Sequence, residues 1–91
     1  MADKRISYKV DGDVQGVSFR YYTCKEARSI GVTGFVYNAS DGTVQGEAQG
    51  SDDAIKAFVQ YLNKGPSAAR VSGVEQSEIS PKQGESGFSQ K

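Results

Sequence analysis

Residues 6–30, ISYKVDGDVQGVSFRYYTCKEARSI, hold the pattern that decides the fold. Polar and apolar residues alternate over residues 6–10, which predicts a half-buried strand. Two glycines then bracket a loop over residues 12–16, and apolar residues recur at helical spacing over residues 18–30. Gly31 follows in the position of a C-terminal helix stop. The helix face predicted to be buried contains Phe19, Tyr22, Ala27 and Ile30.

Two strand-like runs follow this helix and are joined by an Asp-Gly pair. Residues 32–39 are rich in β-branched and aromatic side chains, and residues 43–48 form the second run. Asp41-Gly42 lies between them, and such a pair between two strand-like runs is the strongest short-range signal of a hairpin. The sequence therefore predicts two antiparallel strands here.

A second helix and further strands complete the pattern. Ser51 is suited to cap a helix, and apolar residues recur at helical spacing over residues 54–62. Gly65-Pro66 ends that helix. Residues 71–79 then predict a fourth strand, and Phe88 anchors a short final strand.

The order strand, helix, strand, strand, helix, strand predicts an α+β fold. We expect a ferredoxin-like split βαβ sandwich, in which two helices cover one face of an antiparallel sheet. A length of 91 residues predicts a single domain over residues 1–91. No apolar run approaches the roughly 20 residues that a bilayer helix needs, and we expect a cytoplasmic protein. Because this fold hosts unrelated functions, function must be argued from a site.

The composition excludes several classes of chemistry. Eleven basic and eleven acidic residues cancel, and a neutral chain is a poor partner for a nucleic-acid backbone. The chain has no histidine and a single cysteine, Cys24. This excludes the usual zinc and copper sites and any nucleophile activated by histidine. An enzyme of this composition must work without histidine, and we expect neither a metal nor a cofactor.

The stretch most suited to chemistry is residues 12–20, GDVQGVSFR, between the first strand and the first helix. The first N–H groups of a helix have no partner within the helix and lie at the positive end of its dipole. A tight loop that contains glycine directs further N–H groups to one point, and such a concavity binds phosphate or carboxylate. Arg20 can add two charge-assisted hydrogen bonds to the same anion. These residues predict an oxyanion-binding loop with one fixed positive charge.

Spacing alone leaves an ordinary strand-to-helix turn with a surface Arg20 as an equal alternative. The loop does not match a Walker A sequence, since it has Gly16-Val17-Ser18 where that pattern requires Gly-Lys-Ser or Gly-Lys-Thr. The Cys-x5-Arg spacing of one phosphatase class is absent after Cys24. Asp11 and Asp13 could in principle form an aspartyl phosphate, but we interpret them as loop acids.

The sequence resembles a known family in two blocks. Gly12-x-Val14-Gln15-Gly16-Val17-x-Phe19-Arg20 resembles the first signature of the acylphosphatases. Gly31-x-x-Gly34-Phe35-Val36-x-Asn38, followed by Asp41-Gly42-Thr43-Val44, is similar to that family's second signature. The resemblance extends through residues 58–62 and Gly65-Pro66, so it covers nearly the whole chain.

The resemblance implies a ferredoxin-like fold and metal-independent hydrolysis of the carboxyl–phosphate bond of acyl phosphates. Asn38 would position the attacking water, and Arg20 would bind the phosphoryl group together with loop amides. The substrate-binding residues that it implies are Gln15, Gly16, Val17, Ser18, Phe19 and Arg20. The implied partner is a small-molecule acyl phosphate, with inorganic phosphate as product and competitive inhibitor. We expect no nucleic-acid or membrane partner, and a monomer.

This activity is chemically compatible with a chain that lacks histidine. A carboxylic acid with a pKa near 4 departs at neutral pH without a proton, so no general acid is needed. The Asn38 amide cannot accept a proton at pH 7, and its role would be to orient water. The resemblance suggests that a phosphate oxygen of the substrate takes the proton. Taken alone, Asn38 is more simply explained as a residue that favours the end of a strand.

Two other functions stay open at this point: a nucleic-acid-binding module, because RNA-recognition domains share this strand order, and an anion-binding accessory domain without activity.

The chain departs from the family at Phe35, where Trp or Tyr is common. It also ends in residues 88–91, FSQK, where the family commonly has Phe-x-Ile-Arg. The final strand therefore lacks the second apolar residue and the arginine of that pattern. We interpret Tyr21, Tyr22 and Cys24 as packing or surface residues of the helix.

Overall fold

The computed structural model describes residues 3–16 and 18–91 of the chain. Met1, Ala2 and Val17, the last of which belongs to the predicted phosphate loop, lie outside the described residues. The elements in chain order are β1 (Lys4–Asp13), α1 (Phe19–Ile30), β2 (Thr33–Asn38), β3 (Val44–Gly50), α2 (Asp52–Lys64), β4 (Arg70–Ile79) and β5 (Phe88–Gln90). No helix in the described ranges is both long and apolar enough to cross a bilayer.

The five strands form one sheet in the order β4-β1-β3-β2-β5. The β1–β3, β1–β4 and β2–β3 pairs are antiparallel, whereas β5 runs parallel to β2. The predicted ferredoxin-like α+β arrangement is confirmed. The one parallel pair arises because the short edge strand β5 runs along β2 in the same direction.

The core lies between the sheet and the two helices. Ile6, Tyr8 and Val10 alternate along β1 and are buried, as the period of two predicted. The ring of Phe58 in α2 contacts the rings of Tyr8 and Phe88, with centroid distances of 5.4 and 5.7 Å. Burying each such side chain contributes about 1.5–3 kcal/mol. This core therefore connects the first and last strands through α2.

The first strand is longer than the sequence predicted. Gly12 was expected to open a loop, but it lies within β1 and pairs with Val71 of β4 after a register shift at Asp11. Its φ of 127° is accessible mainly to glycine, and a Cβ there would collide with the main chain of Arg70. At this register shift the pairing between β1 and β4 continues through Gly12 instead of stopping at it, so β1 is longer than predicted.

The buried face of α1 also differs from the prediction. Its buried residues are Phe19, Thr23, Cys24 and Ala27. Tyr22 was expected in the core, but it is 43% exposed. The helix packs on both β2 and β5, so the side of α1 that carries Cys24 faces the sheet. The Cys24 Sγ lies 3.9 Å from the main-chain oxygen of Phe88.

The C-terminal strand is anchored in spite of its unusual sequence. Phe88 is buried, and the Lys91 N–H donates to the Val36 oxygen at 2.8 Å. The preceding loop is tied to the sheet by Arg5, which is 1% exposed and donates to both carboxylate oxygens of Glu85 at 2.8 and 3.2 Å. The hydrogen bonds from Arg5 lower the pKa of the Glu85 carboxyl. These contacts hold the C-terminal strand and the loop before it against the sheet.

Candidate active site

The N-terminus of α1 has an unusual backbone. Ser18, the residue before the helix, adopts φ 60° and ψ 23°, and it is the one non-glycine residue of the described chain with positive φ. Its side chain makes no capping hydrogen bond. A left-handed conformation costs a serine about 1–2 kcal/mol. With Gly16 also left-handed, at φ 77°, the chain turns sharply before the helix begins.

Three amides at this turn are left without an acceptor in the described part of the chain. Among residues 3–16 and 18–91, we find no acceptor for the N–H groups of Gln15, Gly16 or Ser18. The first turn of α1 contains no acidic residue. The positive end of the helix dipole is therefore left uncompensated by carboxylate, which is the arrangement that binds an anion.

Arg20 places its charge at the same end of the helix. Its Nη1 donates to the main-chain oxygen of Lys91 at 2.7 Å. In the described part of the chain, no Asp or Glu oxygen lies within 4.0 Å of its guanidinium. This hydrogen bond orients the guanidinium. The remaining N–H groups can donate to an anion.

The side chain of Gln15 joins the loop to the β2–β3 hairpin. Its Nε2 donates to the main-chain oxygens of Ala39 and Thr43, at 2.8 and 3.0 Å. The hairpin turn is itself closed by a hydrogen bond from the Ala39 N–H to the Thr43 oxygen at 2.8 Å, and Thr43 donates twice to Asp41. These hydrogen bonds from Thr43 lower the pKa of the Asp41 carboxyl. Gln15 thus fixes the loop relative to Asn38, the last residue of β2.

Asn38 carries an unpaired acceptor. Its Oδ1 is buried, and no hydrogen-bond donor of the described residues reaches it. An unsatisfied buried polar atom costs about 1–3 kcal/mol, so a native protein rarely leaves one without a reason. An amide oxygen in this state accepts a hydrogen bond from water or from another donor. The strand end therefore carries an unpaired amide oxygen on a residue that lines the site.

These groups line one cavity of about 290 Å³. Its walls include Gly16, Ser18, Arg20, Tyr21, Asn38 and Gln90. A second cavity of about 300 Å³ lies on the open face of the sheet, between Tyr37 and Glu75. That cavity contains neither Arg20 nor Asn38, and the two volumes are nearly equal. We place the candidate site in the first cavity because the unpaired donors and acceptor meet there.

The structure brings together most of the residues that the sequence indicated. Gly16, Ser18, Arg20 and Asn38 line the site cavity. Phe19 also lines it, but its side chain is 1% exposed and belongs to the core, so only its amide is available. The Gln15 side chain binds the hairpin instead. Val17 is outside the described residues.

Sequence reasoning missed three contributors to the site. Tyr21 was interpreted as a surface residue, yet it lines the cavity next to Arg20. Gln90 also lines it, and Lys91 orients Arg20 through its main-chain oxygen. The position of Tyr21 beside Arg20 was a usable signal. Gln90 and Lys91 carried none, because their placement depends on the pairing of β5 with β2.

Cys24 does not contribute a nucleophile. It is buried, and this burial raises the pKa of its thiol. The thiolate, which is the reactive form, is therefore disfavoured. This agrees with its interpretation as a packed residue of the helix.

Comparisons with known proteins agree with this geometry. The acylphosphatase family model matches residues 6–90. An acylphosphatase of Salinibacter ruber is 45% identical over 73 residues, which are 80% of this chain and 77% of that protein. A solved acylphosphatase from Coxiella burnetii has a TM-score of 0.92 and 37% identity, over 98% of this chain and 93% of that one. The solved acylphosphatase from Bacillus subtilis has a TM-score of 0.92 and 33% identity, over 97% of this chain and 98% of that one. The chain belongs to the acylphosphatase family.

Proposed function

We propose that this chain hydrolyses the carboxyl–phosphate bond of acyl phosphates, with Arg20 and the loop amides as the phosphoryl-binding groups and Asn38 as the residue that positions water. The observation that carries the proposal is the buried, unpaired Oδ1 of Asn38 in the same cavity as Arg20 and the uncapped end of α1. The donors can bind phosphoryl oxygens, and the acceptor can bind water. An ordinary turn would need neither.

The proposed reaction begins with the phosphoryl group bound at the N-terminus of α1. Arg20 and the amides of Gln15 to Arg20 donate hydrogen bonds to its nonbridging oxygens. Asn38 Oδ1 accepts a hydrogen bond from a water molecule and thereby aligns the water oxygen with phosphorus. Such positioning contributes to rate because it removes orientational freedom before the chemical step.

The water oxygen then forms a bond to phosphorus while the bond from phosphorus to the acyl oxygen breaks. The electron pair of the broken bond leaves with the carboxylate, which needs no proton at neutral pH. The water proton passes to a phosphate oxygen, and the products are a carboxylate and inorganic phosphate. Stabilising charge on the transferring group is the main task in phosphoryl transfer. One guanidinium and several amides supply that stabilisation, so the proposal requires neither histidine nor metal.

The product of this reaction occupies the same donors as the substrate. We therefore expect inorganic phosphate to inhibit competitively. All of the proposed residues come from one chain, so the proposal requires no second copy for catalysis.

The direct test is the hydrolysis of benzoyl phosphate with excess chelator present. We expect turnover that the chelator does not reduce, with competitive inhibition by orthophosphate. No turnover, or turnover only after a divalent metal is added, contradicts the proposal. Orthophosphate binding without turnover would select the accessory-domain alternative.

The Asn38→Ala variant separates catalysis from binding and from stability. We expect kcat to fall by about 10²–10³, the cost of losing one well-placed polar group, while the inhibition constant for orthophosphate changes little. Because the substitution removes an unpaired buried oxygen, Tm should not decrease. Asn63 is an exposed asparagine of α2, so Asn63→Ala is the matched control and should leave kcat unchanged. An Asn38→Ala enzyme with full activity would exclude the proposed water position.

A further inference from the structure

The crossover from β4 to β5, residues 80–87, runs from one edge of the sheet to the other. β4 and β5 are the two edge strands of the order β4-β1-β3-β2-β5. Ile79, the last residue of β4, pairs with Arg5 of β1. Phe88, the first residue of β5, pairs with Gly34 of β2. The crossover therefore has to pass the ends of β1, β3 and β2 before β5 can begin.

Two side chains of the sheet hold this crossover in place. Arg5 donates from Nη1 and Nη2 to the Glu85 carboxylate, at 2.8 and 3.2 Å. The Gln49 side chain accepts from the Lys82 N–H at 2.8 Å and donates to the Lys82 oxygen at 2.9 Å. Arg5 Nη1 also donates to Gln49 Oε1 at 3.1 Å. Both anchors therefore meet at the guanidinium of Arg5.

Arg5 is itself held in one orientation. Its side chain is buried, and its Nε donates to the Glu47 carboxylate at 2.9 Å. The planar guanidinium thus lies between two carboxylates, Glu47 on β3 and Glu85 on the crossover, and such charge-assisted contacts fix geometry as well as energy. Arg5 keeps Glu47 as a counter-ion when Glu85 is removed. A change at Glu85 therefore tests the crossover without leaving a buried charge unpaired.

The strand that follows the crossover reaches the candidate site. The main-chain oxygen of Lys91 accepts from Arg20 Nη1 at 2.7 Å, the only hydrogen bond that the Arg20 side chain donates within residues 3–16 and 18–91. β5 has three residues and pairs with β2 alone, and Phe88 anchors its first residue in the core. At about 3.3 Å per residue, Lys91 lies about 10 Å beyond Phe88. A change in the direction from which the crossover enters β5 therefore moves Lys91 relative to Arg20.

We propose that the Arg5–Glu85 ion pair is a remote positioning element for Arg20. The pair fixes the crossover, the crossover sets the direction of β5, and β5 presents the Lys91 oxygen that orients the guanidinium. The proposal rests on the proposed function, since Arg20 is the phosphoryl-binding side chain there. Neither Arg5 nor Glu85 lines the site cavity, so the pair acts on the reaction only through Arg20.

The experiment compares Glu85→Ala with the wild type in two measurements, made well below the Tm of both proteins. The first is kcat/KM for benzoyl phosphate, which we expect to fall about tenfold, less than the roughly 100-fold that a 1 Å misplacement can cost. Inhibition by orthophosphate should weaken in parallel, because Arg20 binds both molecules. The second is the ¹H–¹⁵N NMR signal of the Arg20 Nε–H group, which should shift or broaden. Glu85→Gln keeps one acceptor for Arg5 and should show smaller changes.

A double-mutant cycle separates positioning from general stability. In an Arg20→Ala background, Glu85→Ala should change kcat/KM by less than about twofold, because the group that it positions is gone. In an Asn38→Ala background it should keep its full effect. Glu78→Ala, at an exposed glutamate of β4, and Ser51→Ala, which lowers stability at α2, are the controls and should leave the Arg20 signal and kcat/KM unchanged.

Three results overturn the positioning role: unchanged kcat/KM in the folded Glu85→Ala variant, an unmoved Arg20 signal, or an undiminished effect of Glu85→Ala in the absence of Arg20. Absence of turnover in the wild type overturns the proposed function. The Arg20 signal then decides alone whether the ion pair orients the guanidinium.

Discussion

The two helices of this protein begin in opposite ways. At α2, Ser51 is extended, with φ −62° and ψ 160°, and its Oγ accepts a hydrogen bond from the Ala54 N–H at 3.1 Å. Asp52 and Asp53 place negative charge in the first turn. At α1, Ser18 is left-handed, its hydroxyl caps nothing, and the first turn has no acidic residue. One helix start is completed by its own residues and the other is not.

This difference separates a structural helix start from a binding one. A serine cap contributes about 1 kcal/mol to stability, and acidic residues in the first turn add about 0.3–1 kcal/mol each. The α1 terminus forgoes both contributions and includes a left-handed serine as well. An oxyanion at this position would accept the free N–H groups and balance the charge of Arg20. We therefore interpret the incomplete helix start as the place that a ligand completes.

The largest expected effect comes from removing the charge at the α1 terminus. Arg20→Ala should lower kcat/KM for benzoyl phosphate by about 10³–10⁵, the range found when an arginine that stabilises phosphoryl transfer is removed. Inhibition by orthophosphate should weaken in parallel, because binding and catalysis use the same guanidinium. Steady-state kinetics measures both. Arg70→Ala, an exposed arginine of β4, is the control and should show neither change.

A smaller effect is expected when the α1 terminus is given the charge of the α2 terminus. Ser18→Asp places a carboxylate beside the phosphoryl position, and repulsion between the two anions should lower kcat/KM about 100-fold. Ser29→Asp, at an exposed position near the other end of α1, should change kcat/KM little. Equal losses in the two variants would mean that net charge matters and the helix terminus does not.

Breaking the connection between the loop and the hairpin should lower kcat about tenfold. Gln15→Leu removes two hydrogen bonds to the β2–β3 turn, so the free energy of unfolding should fall by about 1–3 kcal/mol. Because the loop and Asn38 are no longer held together, kcat should fall about tenfold, equivalent to about 1.4 kcal/mol in the barrier. Gln60→Leu on α2 is the control. Full kcat in a folded Gln15 variant would show that this connection serves stability alone.

The smallest effect on activity is expected at the capped helix. Ser51→Ala should lower the free energy of unfolding by about 1 kcal/mol, through loss of the hydrogen bond to Ala54. Turnover of benzoyl phosphate should not change, because α2 holds no residue of the candidate site. Urea unfolding and the phosphatase assay measure the two quantities. A loss of activity without a loss of stability would contradict the division between the two termini.

Local sequence patterns predicted the elements whose formation depends only on neighbouring residues. The Asp41-Gly42 hairpin, the Ser51 cap and the stop at Gly65 are confirmed, because each depends on neighbouring residues alone. The extension of β1 through Gly12 could not be predicted in this way, since it requires β4 as a partner. Tyr22 was misplaced because the buried face of α1 depends on β5.

The candidate site likewise combines residues that a local pattern predicts with residues that only a distant strand pairing brings in. Arg20, Gly16 and Asn38 lie in the two blocks of the sequence that predicted a site, and all three line the same cavity. Gln90 enters the site through a parallel pairing between β2 and β5, which are far apart in sequence. No local pattern reports such a pairing. The position of Gln90 in the site cavity therefore could not be predicted from the sequence.

The most direct test follows the backbone amides during a titration with orthophosphate, by ¹H–¹⁵N NMR of the folded protein. We expect saturable shifts of the amide signals of Gln15, Gly16 and Phe19–Arg20, with the signals of Asp52–Ala54 unmoved. Arg20→Ala should abolish the saturation. Orthophosphate at millimolar concentration that shifts neither group, or that shifts both helix termini alike, would contradict the claim that α1 is left open for a phosphoryl group.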